Sequence, residues 1–283
     1  MESHRGAAFK ISDAGGKWVV VVSGRRMVDD IRKAADDRIS ARHGNIENDI
    51  ISWLLERAQG EQRTVRDITM RILTMNFAAI HSTSMVFTNV LFDLAAHPSF
   101  VTGLREEVER VIREEGLTPA SFHKMVKLDS FIKESQRLAA GAVNMWRKVL
   151  EDFTFSNGTF VPKGNLIAVA NFAMHHDEEN YSDAFSFDGF RFSKMREKEL
   201  EGYSKHQMVT LSDEYIVFGY GKHACPGRFF AVNELKALFV HTLLNYDVAF
   251  MDDGPRPAHC WFNLSVSPDP RASVMFRKRR FVT

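Results

Sequence analysis

Apolar positions recur along this chain mainly at helical spacing, interrupted by short β-rich runs. Trp18 to Val22 is one such run, closed by Ser23-Gly24, and it predicts a strand followed by an amphipathic helix from Arg26 to about Ala35. Between Asn48 and Ala58, Ile50, Ile51, Leu54 and Leu55 recur at helical spacing. A much longer helix opens near Arg66 and lasts until His97-Pro98, where proline stops it or starts the next loop. Leu104 to Glu115 and Leu128 to Ala139 predict two more, the first with Glu106, Glu107, Glu109, Arg110 and Arg113 as a solvated face. Phe153 to Val161 sets Ser156-Asn157-Gly158-Thr159 between β-rich flanks, which predicts a hairpin, and strand continues from Val161 to Val169. His175 to Phe192 reads as loop, Pro226 to about Leu244 as helix, and Leu264 to Phe276 as closing strands around Ser267-Pro268-Asp269-Pro270. The pattern predicts a mainly α fold with a smaller β part, with neither repeats nor a strong linker to divide it.

The long helix raises a membrane question, because Ile72 to Phe92 contains no Asp, Glu, Lys or Arg. Its Asn76, His81, Ser82, Thr83, Ser84, Thr88 and Asn89 are costly in lipid, so it is read as a helix buried in protein. Composition agrees: 45% hydrophobic and 26% charged over 283 residues is ordinary for a chain with a sizeable core. With 37 basic and 36 acidic residues the net charge is +1, which gives no bulk electrostatic case for a nucleic-acid partner. Two cysteines exclude a cysteine-rich zinc cluster or a disulfide framework and fit a reducing, intracellular compartment. Met1-Glu2-Ser3-His4-Arg5-Gly6 has no apolar core region, so neither a signal peptide nor an N-terminal membrane anchor is expected.

The two cysteines differ in setting. Cys260, in Ala258-His259-Cys260-Trp261-Phe262, reads as a small buried hydrophobe. Cys225 lies in Phe218-Gly219-Tyr220-Gly221-Lys222-His223-Ala224-Cys225-Pro226-Gly227-Arg228-Phe229. Gly219 and Gly221 permit positive φ and close approach of a flat ligand, while Pro226 suits the first turn of a helix. A cysteine at a helix N-terminus is stabilised as thiolate by unpaired N–H groups and the helix dipole. A lone thiolate so placed suits axial ligation of haem iron.

This loop resembles the haem-binding signature of the cytochrome P-450 haem-thiolate monooxygenases, Phe-x-x-Gly-x-Arg-x-Cys-x-Gly, with His223 in the basic slot. Three further segments fall in the family's order. Lys133-Glu134-Ser135-Gln136-Arg137-Leu138 resembles its Glu-x-x-Arg motif, with Glu134 and Arg137 on one helical face. Phe187-Asp188-Gly189-Phe190-Arg191-Phe192 is similar to its Pro-x-Arg-Phe-like segment without the proline, and implies a structural ion pair of Glu134 with Arg137 and Arg191. Phe77-Ala78-Ala79-Ile80-His81-Ser82-Thr83-Ser84 resembles its oxygen-activation segment Ala-Gly-x-Asp/Glu-Thr, with Ser82 in the threonine place and His81 in that of the carboxylate.

The resemblance implies haem b with Cys225 as axial iron ligand, His223, Arg147 and Arg191 toward the propionates, and Phe218 and Gly219 in the binding loop. An exposed arginine beside Trp146 is the alternative for Arg147. Ser82, Thr83 and His81 would manage protons, a core histidine bonded to backbone being the alternative for His81. The segments Phe77 to Ala79, Ala142 to Asn144 and Leu264 to Val266 would belong to the walls of a substrate pocket, with Phe77, Ala78, Ala142, Val143, Leu264 and Ser265 as the leading residues. The implied reaction inserts one oxygen atom from dioxygen into a lipophilic small molecule. Its electrons come from NADPH through an NADPH-cytochrome reductase, to which Lys222, Arg228 and Lys236 offer positive charge. The segments around Asn76 to His81 and Glu134 to Leu138 are most similar to fungal secondary-metabolism members, which implies terpenoid or polyketide substrates. Family members are often anchored in the endoplasmic reticulum.

The resemblance is interrupted. Residues 1–40 resemble the N-terminal β hairpin and helix of the catalytic domain, and residues 41–283 its haem-binding helical region with β hairpins, one domain overall. The family's intervening helices, which include a Trp-x-x-x-Arg helix and the pocket roof, have no counterpart at the join near Ile39-Ser40-Ala41-Arg42. Losing them would expose one side of the long helix. The expectation is a monooxygenase, and the alternative is a truncated, non-catalytic haem-binding protein or pseudoenzyme.

Overall fold

A computed structural model of the chain describes residues 8–12, 18–22, 49–198, 205–251 and 254–279. Two units divide the chain, Met1–Met75 and Asn76–Thr283. The join near Ser40 and the helix expected from Arg26 to Ala35 lie outside the described residues.

In the first unit, β1 (Ala8–Ser12) pairs antiparallel with β2 (Trp18–Val22), Ala8 opposite Val22. α1 (Ile50–Arg57) starts where Asp49 Oδ1 accepts the Ser52 N–H at 2.8 Å, satisfying one free amide of the first turn. A 3-10 turn at Gly60–Arg63 leads to α2 (Val65–Ala96), which Thr64 caps by accepting the Asp67 N–H on Oγ1 at 3.2 Å.

The second unit takes up α2 and adds α3 (Val101–Glu115), the single turn α4 (Pro119–Phe122) and α5 (Val126–Leu138). Next come β3 (Asn144–Lys148), the hairpin of β4 (Phe153–Thr154) and β5 (Phe160–Val161), and β6 (Leu166–Val169), which returns to pair with β3. α6 (Asn171–His175) and α7 (Arg191–Lys198) bound a long loop, and α8 (Arg228–Asn245) follows the cysteine loop. β7 (Tyr246–Ala249) pairs with β10 (Met275–Lys278), and β8 (Cys260–Phe262) with β9 (Ser265–Ser267), all antiparallel. The fold is mainly α with small antiparallel sheets, as the patterning predicts.

One apolar core holds these helices. Leu104, Val108 and Val111 of α3 meet Leu128, Phe131 and Ile132 of α5 and Leu235, Phe239 and Leu243 of α8, with Val90 and Leu94 from the end of α2. A fully buried Leu or Phe contributes about 1.5–3 kcal/mol, so this cluster fixes α5, and Phe218 at the start of the cysteine loop packs against it. Phe131 also packs edge-on to Phe187 and Phe100, and Gly189 is glycine because a Cβ there would lie 2.6 Å from Phe131 Cδ2.

Several sequence expectations need correction. Glu107 is not part of a solvated face: it is buried and accepts the N–H groups of Lys127 and Leu128, each at 2.9 Å, capping α5 from the neighbouring helix. Burial raises its pKa against those hydrogen bonds. The strand expected from Val161 to Val169 is broken at Gly164, whose φ of 91° turns the chain between β5 and β6. β7 and β8 lie outside the strands expected at the end of the chain, and α8 begins at Arg228, not at Pro226. Apart from Ile68 and Thr83, the buried residues of α2 gather toward its end, from Asn89 onward. Phe77 and Ile80 are 70% and 61% exposed, so the apolar spacing there is not covered by the rest of its unit. Among the described residues no helix is long and apolar enough to cross a membrane.

Candidate functional site

The cysteine loop is built by its own backbone. Gly219 and Gly221 take φ of 72° and 71°, which favours glycine at both places. The Gly219 N–H reaches the Ile216 carbonyl at 2.8 Å, and the Cys225 N–H reaches that of Phe218 at 2.7 Å, so the loop folds back on itself. Its root is fastened twice: His175 Nε2 accepts the Ile216 N–H at 3.2 Å, and Asn144 Nδ2 donates to the Ile216 carbonyl at 2.6 Å. The first contact requires His175 to be unprotonated at Nε2. Burial, and then the nearby Arg137, lower its pKa to about 3. Cys225 itself precedes the helix: Gly227 is the N-cap of α8, so the sulfur lies just before the first turn, not inside it. Arg228 ties the two together by donating from Nη1 to the Cys225 carbonyl at 3.0 Å.

A β-bulge aims the second wall. The β3–β6 register shifts between Asn144 and Arg147, and Met145 adopts a left-handed φ of 54°, its N–H held by Asn144 Oδ1 at 2.8 Å. The segment from Asn144 to Arg147 thereby lines a cleft of about 300 Å³ with Phe218, Gly219, His223 and Cys225. Arg147 donates from Nη1 to the Trp146 carbonyl at 2.7 Å, and no carboxylate pairs with it among the described residues. A second cavity of about 310 Å³ shares Asn144 and Val217 with this cleft and is lined further by Ser82, Gln136, Val143, Asn171 and Val266.

Arg191 is elsewhere. Glu134 is fully buried on α5; its Oε2 accepts from Arg137 Nε at 2.8 Å and its Oε1 from Arg137 Nη2 at 2.8 Å and from Arg191 Nε at 3.0 Å. The remaining Arg191 nitrogens donate to the carbonyls of Ser182, Asp183 and Ser186, and Arg137 Nη1 to those of His175 and Ala184. The expectation that Arg191 reaches a propionate is corrected on this ground: its donors are all engaged in the ion pair and its loop. Lys236 is likewise no docking charge, because it is buried, 2.5 Å from Asp129 Oδ1, and donates to the Phe122 carbonyl at 3.0 Å.

On α2 the three proton-handling candidates diverge. Ser82 lines the second cavity and donates its hydroxyl to the Ala78 carbonyl at 2.7 Å. Thr83 is buried and outside the lining, while His81 is exposed and packs edge-on to Phe77, ring centroids 5.0 Å apart. Of the expected pocket walls, Val143 and Asn144 line the cavity. Ala142 acts through backbone, its N–H donating to the Leu264 carbonyl at 3.0 Å. Phe77 and Ala78 are outside the lining, and of the segment from Leu264 to Val266 it is Val266 that faces the cavity, not Leu264 or Ser265. Asn171, Gln136 and Val217 were missed; each adjoins a recognised motif or turn, but nothing in spacing alone marks it.

The donor set suits a metal that brings ligands of its own. Among the described residues no three His, Cys, Asp or Glu converge to hold an ion, yet a free thiol stands beside a guanidinium and an imidazole in one cleft. Iron in a porphyrin needs that combination, one axial sulfur and cations for two carboxylates. Comparison with known proteins agrees. The cytochrome P-450 family model matches residues 23–276. Cytochrome P-450 monooxygenase 151 of Postia placenta is 51% identical across 82% of this chain and 47% of its own length. Cytochrome P-450 monooxygenase 71 of the same fungus is 44% identical across 90% and 50%, and an ent-kaurene oxidase of Fusarium fujikuroi is 36% identical across 92% and 49%. The chain thus spans about half the length of the curated relatives it matches. On the cysteine cleft, the buried Glu134 network and these matches together, the chain belongs to the cytochrome P-450 family.

Proposed function

We propose that this chain binds haem b through Cys225 and acts as a monooxygenase, inserting one oxygen atom from dioxygen into a lipophilic small molecule. The observation that carries this reading is the convergence of Cys225, His223, Arg147, Phe218 and Gly219 on one cleft. Cys225 Sγ would ligate the haem iron, and Arg147 and His223 would hold the propionates. When bound, the haem supplies the iron chemistry that activates dioxygen. The protein's own part is binding and proton control. Ser82 Oγ keeps its proton on the Ala78 carbonyl, which leaves its lone pairs to accept from water in the cavity. His81, exposed on the preceding position, passes protons in from solvent. Val143, Val266, Met85 and Val86 keep the cavity wall apolar, which suits a lipophilic substrate.

Electrons would come from NADPH through a reductase, with exposed Lys222 as a local positive charge for an acidic partner. Of the terpenoid or polyketide substrates expected for a fungal secondary-metabolism member, the relative named ent-kaurene oxidase favours the terpenoid. A non-catalytic haem-binding protein is the second reading, favoured by the exposed Phe77 and Ile80 on the helix that borders the cavity.

The carbon monoxide difference spectrum of the reduced protein tests the proposal. A thiolate-type Soret band that disappears in Cys225→Ala supports it, and failure to take up haem overturns it. Haem uptake without reductase-dependent oxygen consumption moves the conclusion to the second reading.

A further inference from the structure

Arg256 belongs to none of the motifs above, yet it joins the segment before β8 to the interior. Its Nε donates to Asp93 Oδ1 and its Nη2 to Asn89 Oδ1 at 2.9 Å, both on α2, while Nη1 closes on the Pro257 carbonyl at 3.0 Å. His259 adds a contact from Nε2 to Asn89 Oδ1 at 3.2 Å. Asp93 and Asn89 are 2% and 5% exposed, and Ser135 on α5 donates to the other Asp93 oxygen at 2.5 Å. A guanidinium fork between two fixed acceptors defines direction as well as distance, which an ammonium does not.

The hairpin of β8 and β9 starts directly after this anchor, at Cys260. Its tip is pinned by the Ala142 N–H on the Leu264 carbonyl, and Val266 on β9 lines the cavity with Ser82 and Val143. The fit is close. A Cβ on Gly141 would meet the Leu264 carbonyl oxygen at 3.3 Å and Val266 Cγ1 at 4.0 Å. The hairpin is thus held at its root by Arg256 on α2 and at its tip by the loop after α5.

We propose that Arg256 is a positioning residue for the cavity: through the β8–β9 hairpin it sets where Val266 stands in the wall, and so the fit of a lipophilic ligand. The inference rests on the cavity being the ligand site, and its test separates the two. Amide hydrogen exchange at Ala142 reads the hairpin directly and needs no haem. Clotrimazole binding, followed by the Soret shift of the haem-loaded protein, reads the fit.

Arg256→Ala should speed exchange at Ala142 by about tenfold while amides in the middle of α3 keep their wild-type rates, and should weaken clotrimazole binding by a similar factor. Arg256→Lys should recover part of both. Gly141→Ala, which leaves Asp93 and Arg256 paired, should push the tip away and move both readouts in the same direction. Wild-type exchange at Ala142 in Arg256→Ala overturns the proposal. So does acceleration shared equally by α3, which would mean a merely global loss of stability, and so does faster exchange with unchanged clotrimazole affinity. No Soret response in the wild-type protein counts against the proposed function, and the exchange measurements then decide the role of Arg256.

Discussion

Arg191 and Arg147 carry the same guanidinium and end in opposite circumstances. Arg191 is buried, pairs with Glu134 and gives its other nitrogens to three carbonyls of its own loop. Arg147 donates to one carbonyl, that of Trp146, beside a free thiol in an open cleft. The difference separates scaffold from site. A cation with a complete shell of partners fixes the chain around it, whereas one with unused donors facing a cavity is positioned for a ligand. Arg191 starts α7 and reaches Glu134 on α5, while Arg147 stands on β3, the strand that follows α5, so the closed network holds the open one in place.

Breaking the closed side should have the largest effect on the fold. Glu134→Ala leaves Arg137 and Arg191 buried without their carboxylate, and removal of one partner from such a network costs about 3–5 kcal/mol. A fall in the urea midpoint of that size, or no soluble protein at all, is the expected outcome, and a near wild-type midpoint would remove the distinction drawn between the two arginines. Gly189→Ala attacks the same loop by packing alone. Its Cβ would overlap Phe131 and crowd Phe100, which lies 3.2 Å away at Cδ1, and overpacking of this kind costs about 1–3 kcal/mol by denaturant titration.

The two sides were not equally legible. The cysteine loop announced itself because Gly219 and Gly221 need a backbone region that other residues avoid, and that need is written locally. Glu134 and Arg137 were legible for a similar reason, being one helical turn apart. For Arg191 the resemblance pointed to Glu134, but the carbonyls of Ser182, Asp183 and Ser186 that take its other nitrogens are set by the fold of its loop, which no spacing marks. Glu107 was misread because the helix it caps begins 19 residues later, at Val126. The exposure of α2 was legible only from the interrupted resemblance, because spacing shows that a helix has apolar faces but not which neighbours cover them. Arg256 lies 163 residues from Asp93, so no local pattern connects them.

The pH dependence of stability should come from the hinge between the two regions. His175 is fully buried, with a pKa near 3 in the folded chain against an ordinary value of 6.5. Between those values the unfolded chain binds a proton that the folded chain does not, so stability is complete above pH 6.5 and falls as pH drops toward 3. One proton difference gives a slope of about 1.4 kcal/mol per pH unit. Denaturant midpoints taken across that range should show it, and His175→Gln, which removes the titrating group, should flatten it. An unchanged slope in the variant would place the acid sensitivity elsewhere.

Arg147→Ala should have the smallest effect on the fold and gives the sharpest test of the comparison. The side chain has one backbone acceptor at 2.7 Å and no carboxylate partner among the described residues, so its loss should change stability by no more than about 0.5 kcal/mol. Haem retention is the readout that should move. A charge-assisted pair to a propionate is worth about 1.5–3 kcal/mol, so haem should transfer from the variant to apomyoglobin roughly ten- to a hundredfold faster than from wild type. Arg147→Lys should fall between, because an ammonium keeps the charge but not the fork. If Arg147→Ala instead destabilised the apoprotein as Glu134→Ala is expected to, Arg147 would belong to the scaffold, and the open cleft would lose the cation that most distinguishes it.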